Sequence, residues 1–207
     1  MMLWLFSLAV LALLLSPGPN MMFVLSHGIT HGPRAGIAAA LGLCAADLVM
    51  TSLAVSGVSV AIATWPPFFD LLKILGAGYL LWIAFQSLRS SGTSKIGNYD
   101  AASLMRVFIR AIINSLLNPK ALVFFILFLP QFVIPSRGDI TLQLLILGCV
   151  AAVEALVFHV LLGLFSGRIG IYLNHRPRFA KYQSRALSGV LIALALRLLL
   201  LERPVAQ

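Results

Sequence analysis

The sequence predicts an all-α membrane protein: six transmembrane helices in a 3+3 inverted repeat, with spans one and four broken near the midplane. Three observations carry that expectation. Apolar residues make up 60% of the 207 and charged residues 10%, with a mean hydropathy of +1.01. A soluble domain of this size cannot bury so much apolar surface, so lipid must be the solvent. Six stretches approach or exceed the roughly 20 apolar residues that cross a bilayer. The first and fourth of them are each interrupted by proline beside asparagine.

Leu3–Ser26 is the first span. It lacks a basic leading region, and "SPGPN" is not a small-x-small cleavage site, so it reads as a membrane helix rather than a signal peptide. Ala35–Thr64 is the second. It ends at "WPPF", where two prolines force a turn and Trp65 suits the interface. Phe68–Leu88 is the third, and the polar stretch "RSSGTSKIGNYDAAS" (Arg89–Ser103) follows it. Val107–Ile134 is the fourth, containing "LLNPK", and Leu142–Phe165 the fifth. Ala186–Leu201 is the sixth; it is short, and its Arg197 can snorkel to a nearby surface. Residues 1–88 thus form one three-helix repeat, 89–105 a cytoplasmic linker and 106–207 a second repeat, all within a single integral membrane domain.

A net charge of +9 raises the question of nucleic acid. The basic residues do not cluster with aromatics on a polar chain, so a membrane reading of the charge is preferred and no nucleic-acid partner is expected. Their distribution is lopsided. Arg34, Arg89, Lys95, Arg106, Arg110, Arg168, Arg176, Arg178, Lys181 and Arg185 lie by the loops after spans one, three and five, against Lys73, Arg137 and Arg203 on the other side. Ten against three predicts cytoplasmic odd loops and both termini non-cytoplasmic. Cys44 and Cys149 sit in apolar runs with no His or Cys at metal spacing, so they read as packing residues. No metal site and no cofactor is expected.

The two halves echo each other in order. "SPGPN" in span one answers "LLNPK" in span four, Asp47 in span two answers Glu154 in span five, and "GYLLWIAFQSLR" loosely matches "GVLIALALRLLL". An odd number of spans per half inserts the second half upside down, the plan of many transporters.

Pro17, Pro19 and Pro119 have no N–H to offer the carbonyls of Leu13, Leu15 and Ser115, one turn earlier. Broken backbone at membrane depth persists where it is buried in protein or lines a wet cavity, and each break creates a helix N-terminus able to face an anion. The competing reading is a pair of proline kinks recapped by Asn20 and Asn118. The candidate substrate-binding residues are Pro17, Gly18, Pro19, Asn20, Asn114, Asn118, Pro119 and Lys120. Lys120 lies about fourteen residues from either end of its span, roughly 20 Å, too deep to snorkel. It calls for water or an acidic partner, and Asp47 and Glu154 are the two carboxylates deep within spans. They are the candidates for the substrate's ammonium or for the coupled proton, though His159 or Gln143 are alternative partners for Glu154. Arg106, Arg110, Asn114 and Asn118 recur every four residues as a polar stripe, and Asn20, His27 and His31 share a face. Gly28, Gly32 and Gly36, and Gly163 with Gly167, are spaced for close helix contacts.

"SPGPN", "LKILGAGYLLWIAFQSLR", "LLNPKALVFFILFLPQFV" and "LSGVLIALALRLLL", in this order, resemble the lysine exporter/homoserine–threonine resistance (LysE/RhtB) family over almost the whole chain. One departure is Ala84, where glycine is frequent. The resemblance implies a bacterial inner-membrane exporter of amino acids or close derivatives, driven by the proton gradient, with family motif positions at Pro17, Gly18, Pro19, Asn20, Asn118, Pro119 and Lys120. A metal-cation exporter is the rival cargo, but two acids and two scattered cysteines are a thin ligand set. An intramembrane hydrolase would need a nucleophile with a base or an H-E-x-x-H motif, and none appears. A purely structural subunit leaves the costly groups at both breaks without a reason. Which amino acid is carried, and whether the chain forms a homo-oligomer, is not legible.

Overall fold

The computed structural model describes residues 3–64 and 103–168, together with isolated helical positions in 71–85 and 185–196. Every regular element among them is helical. In chain order they are α1 (Leu3–Leu15), α2 (Pro19–His31), α3 (Pro33–Thr64), α4 (Leu104–Leu116), α5 (Pro119–Val123) and α6 (Ile140–Leu164). α5 continues as a π-helical turn over Phe124–Phe128 and a 3-10 turn over Leu129–Phe132.

α3 and α6 are long and apolar enough to cross a membrane alone. α1 with α2, and α4 with α5 and its continuation, reach that length only as bent pairs, with bends of 58° and 56°. The described residues therefore hold up to four candidate spans. Spans three and six and residues 89–102 of the expected linker fall mostly or wholly outside them, and the last linker residues, 103–105, already cap and begin α4. The apolar stripe of Trp4, Leu8, Leu11 and Leu15 on α1 is exposed, as are Val153, Val157 and Leu161 on α6. Exposed faces of this kind suit lipid contact.

Local chemistry sets the boundaries. Span one runs on to His31, beyond the expected Ser26, because "HGITH" continues α2 until Gly32, whose φ of 84° turns the chain directly into α3 at Pro33. Ser103 caps α4 by accepting from the Arg106 amide at 3.4 Å. Asn118 caps α5 by accepting from the Lys120 amide at 3.0 Å, with Pro119 at the first helical position. Asp139 caps α6 through the Thr141 and Leu142 amides. Gln143 pins the turn before α6, bonding both the amide and the carbonyl of Ile134. Its amide therefore serves the turn and not Glu154.

α3 and α6 run antiparallel in close contact. Gly36 meets Gly163 so tightly that a Cβ on Gly36 would stand 2.7 Å from the Gly163 Cα, and Gly148 lies against the Thr51 side chain. Gly28 packs on Ser166 and the Gly163 carbonyl. Of the glycines expected to make contacts, Gly32 is a turn and Gly167 has open space around it. Asp47 and Glu154 each stand fourteen residues beyond the first residue of their helix, Pro33 and Ile140.

Three apolar cores surround the breaks. Phe6 and Val10 of α1 pack with Met50, Phe125, Leu129, Leu144 and Ala151. Ala9, Ala12 and Leu13 meet Phe128 together with Ala77 and Ala195. Across the breaks, Phe23 and Val24 of α2 join Ala39 and Leu43 of α3, Val107 and Ala111 of α4 and Leu162 of α6. A polar layer lies between the first two clusters and the third.

Candidate functional site

The polar layer is built by the two breaks facing each other. Pro17 has no N–H for the carbonyl of Leu13, so α1 ends at Leu15 and the chain crosses an extended Gly18 (φ −154°, ψ 177°) before α2 begins. α2 starts with Gly18 at the cap and Pro19 next, and no side chain caps its amides. On the facing break, the Asn118 side chain does cap α5. The two N-termini thus differ: one is open and the other is already satisfied.

Asn20 is the centre of the junction. Its Oδ1 accepts from Nδ2 of Asn114 at 2.9 Å and Nδ2 of Asn118 at 3.0 Å, while its own Nδ2 donates to Oγ of Ser115 at 3.0 Å. One residue beside the first break therefore ties together three beside the second. Asn114 and Asn118 lie one turn apart, so both reach the same oxygen. The outer members of that stripe, Arg106 and Arg110, are exposed. His27 is fully buried, with Nδ1 2.9 Å from the Phe23 carbonyl and its ring stacked on His31 at 5.9 Å.

Lys120 corrects an expectation. Water or an acidic partner is the expectation for it, yet no ion pair joins it to Asp47 or Glu154 among the described residues. Nζ donates instead to the carbonyls of Leu13 at 2.7 Å and Ser16 at 2.9 Å. The reason is the break itself: Pro17 removes the i+4 donor, the Leu13 oxygen keeps only the Ser16 amide at 3.2 Å and has a lone pair to spare, and a cation at a helix C-terminus sits at the negative end of the dipole.

Both breaks open on one cavity of about 90 Å³. Ser16, Gly18, Asn20, Asn118 and Lys120 line its polar side, joined by Asp47 from α3 and His159 from α6. Val10, Leu14, Phe124, Phe125 and Ala155 supply an apolar wall. Asp47 is buried with 7% of its surface exposed, and it faces this cavity. Glu154 does not line it, and its Oε2 has no hydrogen-bond partner among the described residues. Asn114 reaches the site only through Asn20, while Pro17, Pro19 and Pro119 act by shaping backbone.

Sequence reasoning missed His159 as a cavity residue and the role of Ser115. A signal for His159 was present. It continues the small-residue row Ala151, Ala155 at four-residue spacing, the buried face of α6, whereas Glu154 lies off that row. Ser115 carried no such mark.

Two apolar helix pairs broken at proline, with polar side chains and one open helix N-terminus gathered around a small cavity, define a membrane transporter of the discontinuous-helix kind. The chain belongs to the LysE type translocator family, whose description matches residues 11–202. It is therefore a translocator and not an enzyme. It is 33% identical over 192 residues to a leucine efflux protein of Klebsiella pneumoniae subsp. pneumoniae, covering 92% of this chain and 91% of that one. A leucine efflux protein of Enterobacter sp. is 32% identical over 200 residues, with 94% and 93% covered. One of Salmonella typhimurium is 29% identical over 201 residues, with 96% and 95% covered. No solved structure matches the chain.

Proposed function

We propose that this protein exports leucine, or a similar aliphatic amino acid, across the bacterial inner membrane by proton-coupled alternating access. The observation that carries the reading is the meeting of the two breaks: an open helix N-terminus, a lysine amine and an apolar wall share one cavity. An amino acid offers matching chemistry. Its carboxylate suits the uncapped amides of α2 and the Lys120 amine, and its aliphatic side chain suits Leu14, Phe124 and Phe125. The relatives' names, leucine efflux proteins, point the same way.

Alternating access requires the helices around this cavity to part on each side in turn. The inverted repeat supplies a natural movement, one half rocking against the other. Its support is the matched pair of bends, 58° and 56°, and the equivalent places of Asp47 and Glu154 on α3 and α6. Asp47 is the better proton carrier of the two because it faces the cavity. The excess of basic residues by the odd loops orients both termini away from the cytoplasm. Assembly as a homo-oligomer is neither required nor opposed by this reading.

The test is efflux from cells loaded with dipeptides. Cells carrying the protein should release leucine faster than cells without it, and should release aspartate and lysine at the background rate. Equal release of leucine with and without the protein contradicts the assignment.

A further inference from the structure

At the first break the carbonyl oxygens of Leu13 and Ser16 converge on a single nitrogen, at 2.7 and 2.9 Å. That nitrogen is the side-chain amine of Lys120, which arrives from the other half of the chain. Two carbonyls aimed at one point at the C-terminal end of a helix are the surroundings that a primary amine requires, by donor geometry and by the sign of the dipole. The pair is not sealed away: Leu13, Ser16, Gly18 and Lys120 all line the cavity. Gly18 leaves the approach uncluttered, since a Cβ there would stand 3.6 Å from Nζ. One residue further on, α2 begins with no side-chain cap. The break thus presents an acceptor pair for an amine beside amides for a carboxylate.

We propose that the Leu13–Ser16 carbonyl pair is the subsite for the α-amine of the substrate, and that Lys120 is a tethered occupant which the arriving amine displaces. The freed lysine then meets the substrate carboxylate. The proposal rests on the amino-acid reading above and adds to it the direction in which the zwitterion lies. It also gives Lys120 a purpose beyond charge. With no substrate present, its amine fills the open acceptor positions of these two carbonyls and holds the two breaks together. A carboxylic acid without an amine cannot replace it, so the empty carrier stays latched.

Removing the lysine separates the two roles. A structural cap gives a variant that is simply weaker, whereas a tethered competitor gives a variant that binds amines better. Purified full-length protein, wild type and Lys120→Met, would be titrated with 3-methylbutylamine, its N,N,N-trimethyl analogue and 4-methylpentanoate. Lys120→Met should bind 3-methylbutylamine about tenfold more tightly than wild type, because an intramolecular rival is gone. The trimethyl analogue, which has no N–H, should show no gain, and 4-methylpentanoate should bind more weakly. Unchanged or reduced amine affinity in Lys120→Met overturns the proposal. If that variant aggregates on extraction, 3-methylbutylamine should restore monodisperse elution where the trimethyl analogue does not; aggregation that the amine leaves unaltered overturns it equally. Leucine transport by the wild type, measured alongside, tests the amino-acid reading separately, and the amine comparison decides the subsite whichever way that result falls.

Discussion

The side-chain amine of Lys120 lies 2.7 Å from the carbonyl oxygen of Leu13, a residue 107 positions earlier in the chain. Pro17 cannot supply the i+4 donor of a continuous helix, so beside the Ser16 amide at 3.2 Å the Leu13 oxygen has room for the lysine. Substituting that proline therefore tests the relationship from the other side. In Pro17→Ala the new N–H can serve Leu13, and Lys120 loses its strongest acceptor. Export should fall severalfold while the melting temperature of the purified protein holds or rises. Wild-type export with the proline removed would separate the break from the mechanism.

Asn20 should be the most sensitive uncharged residue of the site. Asn20→Ala removes three side-chain hydrogen bonds, at about 1 kcal/mol each, and should cost about 2–3 kcal/mol. Asn20→Asp keeps an acceptor for Asn114 and Asn118 and loses only the donor to Ser115, so it should lie between alanine and wild type. Denaturation in detergent checks the ranking. Equal stability for alanine and wild type would contradict the network.

The glycines separate packing from propensity. A Cβ at Gly36 would press on the backbone of Gly163, so Gly36→Ala should cost about 1–3 kcal/mol by overpacking. Gly57, on the same helix, has nothing within 4 Å of a Cβ. Gly57→Ala should be neutral or stabilising by up to about 1 kcal/mol. Thermal melts of the two variants give the comparison, and a shared sign would contradict the close contact of α3 with α6.

Much of this was legible before any coordinates. Proline positions and apolar runs located both breaks, because backbone donors are countable in sequence. Gly18, Asn20, Asn118 and Lys120 do line one cavity, since the polar groups of a membrane helix have few other places to go. The partner of Lys120 was not legible. Charge pairing favours an acid, but the acceptors within reach are main-chain carbonyls at the first break, whose positions a sequence does not display. Asp47 and Glu154 looked alike as intramembrane acids, and only the turn of α6 separates them, placing Ala151, Ala155 and His159 at the cavity and Glu154 beside it. The small-residue row around His159 carried that distinction, and the charge of Glu154 drew attention away from it.

That difference between the acids gives a coupling prediction. Asp47→Asn should abolish acceleration of leucine efflux by an imposed proton gradient in reconstituted vesicles while leaving exchange of leucine for leucine intact. Glu154→Gln should retain gradient-driven efflux. The reverse pattern would move the proton pathway off the cavity.

Substrate is proposed to bind where the two breaks meet. The most direct measurement is the rate at which a small water-soluble thiol reagent modifies Gly18→Cys in a Cys44→Ala, Cys149→Ala background. The new side chain has ordinary contacts there and points toward Lys120. Leucine should slow the reaction in proportion to its occupancy, and Ser136→Cys, exposed in the turn before α6, should react at a rate that leucine does not alter. Modification of Gly18→Cys at the same rate with and without saturating leucine, in protein that still transports it, would contradict the placement of the site.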